Sequence, residues 1–199
     1  FLVHGGYLKT SLVTPDGREK VTAFPMRHDI LGLDALGTPT YTCDCRALDV
    51  SEVWQIPLVH LDLYPEQLSR LRGMLTVELA RVIRHDWQWL MTLSTLRADQ
   101  RVATFLLELA ERQLRLGYSP RFLTLRMSRA DLGNFLALQL ETVTRILSRL
   151  AARGFIRVAR RRIELVDADA LARIVAPTAD PDDPDGPLPA RSRDPAWPA

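Results

Sequence analysis

Glu141 and Arg145 stand four residues apart, just after the short segment Ala137-Leu138-Gln139. On a helix that spacing puts both side chains on one face. A carboxylate can accept from cytosine N4, and a guanidinium can donate twice to guanine O6 and N7, so the pair can read base edges. Alone, the same two residues are an exposed helix ion pair worth about 0.3–0.5 kcal/mol. The surroundings favour the reading role. Between Arg126 and Leu165, nine Arg face only Asp131, Glu141 and Glu164, net +6, while the whole chain carries +2. Such a cluster is the electrostatic footprint of a nucleic-acid partner. Only Lys9 and Lys20 are lysines, so Arg carries the basic charge almost everywhere. The cluster therefore takes its meaning from the elements that bear it.

Other reactive side chains form weaker patterns. Cys43 and Cys45, two apart on a strand, face the same side. They are candidates for a metal or redox pair, but no set of four ligands accompanies them. Two cysteines make no disulfide framework, which points to a reducing, cytoplasmic setting. His28, His60 and His85 are scattered and read as ordinary surface or core residues. Trp87 and Trp89 could line a pocket beside a helix, and interface packing is the commoner use of such residues. There is no Ser-His-Asp set, phosphate-binding glycine loop or histidine-rich metal motif, so an enzyme is not expected. No apolar run is long enough for a membrane-spanning helix.

These residues need elements to hold them. The chain has 199 residues, 47% hydrophobic and 25% charged, the balance of a globular protein. Residues 1–57 read as strands and turns. Tyr7–Thr14 and Lys20–Phe24 flank Pro15-Asp16-Gly17, a hairpin signal. Further strands are expected over Ile30–Leu33 and Tyr41–Ile56. The spacing suggests a small antiparallel barrel or sandwich, with its first strands expected before Phe1. From Pro65 to about residue 96, Leu68, Leu71, Leu75, Leu79, Val82, Asp86, Trp89 and Leu93 recur every three or four residues, the stripe of a long helix. A narrow stripe on a long helix wants a second copy, so dimerisation is expected through Leu75, Leu79, Val82, Asp86, Trp89 and Leu93. Packing along its own barrel is the alternative. A helix over 98–117 follows, with Val102, Phe105, Leu106, Leu109 and Leu116 on its apolar face. Ser128 with Asp131 is a capping-box signal, opening a helix to about Leu136. The next helix runs from about Leu140 to Arg153. Phe155–Val166 alternates like a hairpin, with Arg160-Arg161-Arg162 at its tip.

Two short helices joined by a tight turn, then a basic hairpin, make a winged helix-turn-helix whose second helix enters the major groove. Arg129, Arg149, Arg160, Arg161 and Arg162 are the expected phosphate contacts, which fix position rather than sequence. From Pro177 on, seven of the chain's 13 prolines fall in 23 residues, and a disordered tail is expected.

The words "GYSPRFLTLRMSRADLGNFLALQLETVTRILSRL" resemble the DNA-binding half of the CRP/FNR family, nearest its FNR branch. "LETVTRILSRL" matches the branch's recognition-helix pattern of Glu, two residues, Ser or Thr, then Arg. Upstream, "GREKVTAF" and "DILGLDAL" resemble the end of the family's sensory β-roll. The resemblance implies an α+β protein: a partial β-roll over 1–62, a dimerisation helix over 63–96, a winged helix-turn-helix over 97–175, and a disordered tail over 176–199. It implies a homodimer on double-stranded DNA, an inverted repeat of TTGAT-like half-sites, and base reading by Glu141, Thr144 and Arg145. It also implies contact with RNA polymerase through exposed loops, here Thr14–Glu19 and Tyr118–Phe122. A sensory module whose helix-turn-helix binds protein is the alternative.

The signal is less legible. Where cyclic-nucleotide members of the family have Gly-Glu-Leu, this chain has Gly32-Leu33-Asp34, and their phosphate-binding Arg-Ser falls at Tyr41-Thr42. Cyclic AMP is therefore not expected. Members with a 4Fe-4S cluster use three N-terminal cysteines and one in the roll before an Ile-Pro pair. Trp54 takes that last place, ahead of Gln55-Ile56-Pro57, so the ordinary cluster is not expected either.

Overall fold

A computed structural model describes residues 1–57 and 65–176. The expected tail, His60 and the expected boundary between 62 and 63 lie outside the described residues. The first part of the chain is β-rich. Strands β1 (Leu2–Gly5), β2 (Leu8–Val13), β3 (Glu19–Ala23), β4 (Asp44–Ala47) and β5 (Glu52–Trp54) form two antiparallel sheets. β1 pairs with β5, and the other three run in the order β3-β2-β4. The Pro15-Asp16-Gly17 hairpin joins β2 to β3, with Gly17 at a φ of 82° where a side chain would be strained. Two expectations need correction. Ile30–Leu33 is not a strand: Ile30 makes a single bridge to Leu2, and Leu33–Ala35 is one 3-10 turn after Gly32. Tyr41–Ile56 is two strands, β4 and β5, that join different sheets.

Helix α1 (Pro65–Thr95) is long and unbroken, about 46 Å at 1.5 Å per residue. It has two apolar faces. Leu75, Leu79, Val82 and Leu93 are half-buried, and Trp89 is 7% exposed. On the opposite side Met74, Val77, Trp87, Leu90 and Met91 are each 60% exposed or more.

Helix α2 (Ala98–Arg115) starts with a capping box between Arg97 and Gln100, and it buries Val102, Phe105, Leu106 and Leu109. Strand β6 (Phe122–Thr124) then leads into α3 (Arg129–Leu136) and α4 (Leu140–Ala152). The wing is β7 (Ile156–Ala159) and β8 (Arg162–Leu165). It forms a sheet of order β6-β8-β7, so the segment before the helix-turn-helix anchors the hairpin behind it. A last helix, α5 (Ala168–Val175), packs on α2. Asp167 caps it at the Ala170 amide, and Gln100 Nε2 donates to the Ile174 carbonyl. One apolar cluster runs through the whole arrangement. Phe24 beyond β3, Trp89 of α1, Phe105 of α2 and Phe135 of α3 meet with ring centroids 4.6–6.5 Å apart. Among the described residues the architecture is the expected α+β arrangement of roll-like strands, long helix and winged helix-turn-helix.

Candidate nucleic-acid interface

The two helices of the motif are set by local chemistry. Ser128 Oγ accepts from the Asp131 amide at 3.0 Å, and Asp131 accepts from the Ser128 amide at 3.2 Å, the reciprocal capping box read from the sequence. At the other end Ala137 takes a left-handed φ of 54° and the Leu138 amide donates to the Gly133 carbonyl. The turn is so close that a Cβ on Gly133 would stand 2.7 Å from the Leu138 oxygen. Helix α4 then starts at Gln139, which supplies no side-chain cap. Its first amides are left for an outside acceptor, which suits a phosphate.

Helix α4 buries Val143, Ile146, Leu147 and Leu150 and turns Glu141, Thr144 and Arg145 to solvent. The structure thus brings the three expected base readers together on one open face. Thr144 Oγ1 donates to the Leu140 carbonyl at 3.0 Å, leaving its oxygen lone pairs and methyl outward. Among the described residues no hydrogen bond or ion pair joins Glu141 to Arg145. The exposed ion pair weighed from the sequence is therefore not formed, and both side chains remain available to a ligand.

The expected phosphate contacts divide into two kinds. Arg160, Arg161 and Arg162 are exposed at the wing tip, where Arg160 holds a φ of 56°, uncommon for a residue with a side chain. Arg149 is exposed on α4, 3.7 Å from Asp99. Arg129 differs. It is half-buried, its Nη2 donates to the Arg160 carbonyl at 3.3 Å, and its Nη1 is buried without a partner. Burial pulls its pKa down. Arg129 ties the wing tip to α3 as it stands.

The sensory half places its expected residues in less promising settings. Asp34 Oδ2 accepts from the Thr42 amide at 2.6 Å and the Cys43 amide at 3.2 Å, and Tyr41 lies against Gly32. A carboxylate therefore occupies amides at the position where a cyclic nucleotide would need phosphate donors, and no Arg stands there, so the residues do not fit that ligand. Trp54 stacks on His4 at 4.2 Å and donates to Glu52, chemistry that holds no iron. Burial raises the Cys43 and Cys45 thiols above their ordinary pKa. Negative charge from Asp34 adds to this at Cys43, and Cys43 itself adds to it at Cys45. Less thiolate at neutral pH means weaker metal binding. Among the described residues no group of three His, Cys, Asp or Glu is placed to hold a metal. No helix among them is long and apolar enough to cross a membrane.

Known proteins agree with this geometry. Residues 100–174 match the Crp-like helix-turn-helix domain, and residues 1–63 match the cyclic nucleotide-binding domain. The chain is 37% identical over 174 residues to the transcriptional activator protein anr of Pseudomonas aeruginosa, covering 87% of this chain and 71% of that one. It is 32% identical over 178 residues to the fumarate and nitrate reduction regulatory protein of Escherichia coli, covering 89% and 71%. The structure of FixK2 from Bradyrhizobium japonicum superposes with a TM-score of 0.78 at 29% identity, over 88% of this chain and 86% of that one. With a cyclic nucleotide-binding domain match followed by a Crp-like helix-turn-helix match, and with these relatives at 32–37% identity, the chain belongs to the CRP/FNR family of transcription regulators.

Proposed function

We propose that this chain is a sequence-specific, cytoplasmic transcription regulator that binds an inverted repeat of TTGAT-like half-sites as a homodimer. The observation that carries the reading is the open face of α4. Glu141, Thr144 and Arg145 point outward together, with the exposed arginines of the wing beside them. Groove readers flanked by phosphate neutralisers are what such a motif needs to join specificity to affinity. The second copy would meet α1. We place the seam on the open face of Val77, Trp87 and Met91, flanked by Ile83 and Leu90, because these large apolar side chains are exposed among the described residues. Of the seam read from the sequence, Asp86 is exposed, Leu75, Leu79, Val82 and Leu93 are half-buried, and Trp89 is used within its own subunit. The loops Thr14–Glu19 and Tyr118–Phe122 are exposed along their length and are the proposed contacts for RNA polymerase.

The test is binding of the purified protein to a duplex carrying the TTGAT inverted repeat, against a scrambled duplex at fixed salt, with and without oxygen. Specific binding is expected. Sensitivity to oxygen would show a labile redox centre despite Trp54, and indifference would move the signal elsewhere. Equal affinity for both duplexes would refute base reading by α4 and leave the helix-turn-helix to a protein partner.

A further inference from the structure

The two lysines of the chain, Lys9 on β2 and Lys20 on β3, both cross to the first helix of the DNA-binding motif. Lys9 Nζ lies 2.6 Å from Asp131 Oδ1 and 3.0 Å from Glu19 Oε1, with its side chain only 7% exposed. Asp131 is the carboxylate that closes the capping box of α3. Lys20 Nζ donates to the Phe135 carbonyl at 3.1 Å and to the Asn134 carbonyl, at the C-terminal end of the same helix. Between these ends the Asn134 carboxamide accepts from the Val21 amide at 2.7 Å and donates to the Glu19 carbonyl at 2.8 Å. It completes the outer edge of β3 as a neighbouring strand would.

The three contacts answer the polar needs of both partners. Helix α3 ends in carbonyls without partners inside the helix, where a cation is favourable. β3 is an edge strand among the described strands, and its open edge wants a donor and an acceptor. Every other basic residue here is Arg, yet these two are Lys. A compact ammonium can sit between two adjacent carbonyls, whereas a guanidinium is a wide planar fork. With α3 held at both ends and α4 joined to it by the Gly133 turn, the pose of α4 relative to the sensory strands is fixed. Glu141, Thr144 and Arg145 stay exposed in that pose.

We propose that Lys9, Lys20 and Asn134 are positioning residues for DNA recognition: they latch α3 to the sensory strands and so set the half-site spacing at which two α4 helices engage one repeat. The inference rests on the homodimeric DNA-binding reading above. A dimer bound to an inverted repeat needs its two reading helices about one DNA turn apart, so a fixed pose is a fixed spacing.

Lys20→Met and Asn134→Ala test it. The intact protein and both variants are titrated with repeats whose half-sites are moved by one and two base pairs. Melting temperature and salt slope are measured alongside. The wild type is expected to lose about tenfold or more in affinity for each base pair of displacement. The variants, still folded, lose less than about threefold, with the salt slope unchanged, because phosphate contacts are untouched. Amine acylation followed by mass spectrometry reads the latch without DNA. Native Lys9, with its side chain 7% exposed, should react about tenfold slower than in the urea-unfolded chain, with the exposed Lys20 as the internal comparison. An unchanged spacing profile in the folded variants, or tighter binding by either, overturns the proposal. Fast acylation of Lys9 in the native protein overturns the latch itself. A wild type with no preference for the repeat but a protected Lys9 overturns the DNA reading, and with it the positioning role, while leaving the contact in place.

Discussion

Arg145 can form a two-pronged bond to guanine, and its lack of an intrahelical partner leaves both prongs unused in the free protein. Replacing it with Ala should cost about 1–3 kcal/mol on the specific site and relax discrimination at one base pair. Equal loss on random DNA would remove it from the readers. A second residue-scale effect concerns His85. Its Nε2 lies 2.8 Å from Glu108 Oε1, and this hydrogen bond raises its pKa above the ordinary value against the opposing effect of burial. Asp86 lies 3.7 Å from its other ring nitrogen, Arg112 opposes the charge, and the Trp89 indole stands 3.2 Å from Nε2. A raised folded-state pKa means that the protonated pair stabilises the fold below the unfolded value of about 6.5 and that this contribution fades as pH climbs through the raised value. His85→Gln should therefore destabilise the protein more near pH 6 than near pH ~9, read as the difference in denaturant midpoint from wild type. An equal difference at both pH values would mean that His85 acts by packing alone.

At the scale of elements, the roles proposed for the wing and for α4 are separable. Arg161→Ala at the exposed tip should weaken all DNA alike and lower the slope of log affinity against log salt by about one. An unaltered slope would take the wing out of the contact. The helix-turn-helix was legible in the sequence because its limits are punctuated: Ser128 with Asp131 starts it and Gly154 ends it, and both signals are local. Helix α5 went unread because it is eight residues long and is held by Gln100, some seventy positions away. Ile30–Leu33 looked like a strand because its residues suit one, but only Ile30 finds a pairing partner. The grip of Lys9 and Lys20 on α3 was equally invisible, since a lysine on a strand normally reads as solvated. Their being the chain's two lysines was the one signal on offer.

For the molecule as a whole, α1 decides assembly. The sequence reads as one apolar stripe on this helix, and spacing alone cannot say whether it faces a second copy or its own subunit. The structure commits Trp89 inward, against Phe135 at 4.6 Å, and leaves Trp87 65% exposed. Trp87→Glu should therefore give a folded monomer, seen as a halved mass in light scattering with little change in melting temperature at high dilution. Persistence of the dimer would return the seam to the Leu75, Leu79 and Val82 face. Because Phe24, Trp89, Phe105 and Phe135 form one cluster, the sensory strands, the long helix and the first helix of the helix-turn-helix share a core, so a change in one is felt by the packing of the others.

The carboxylate of Asp34 has a consequence for how such a subunit could be regulated. Tied to the same chain as the Thr42 and Cys43 amides, it acts as a tethered ligand, with an effective concentration on the order of millimolar or above. An anion approaching those amides from solution must displace that carboxylate rather than fill a vacancy. In this structure the Thr42 and Cys43 amides are already satisfied by the chain's own carboxylate.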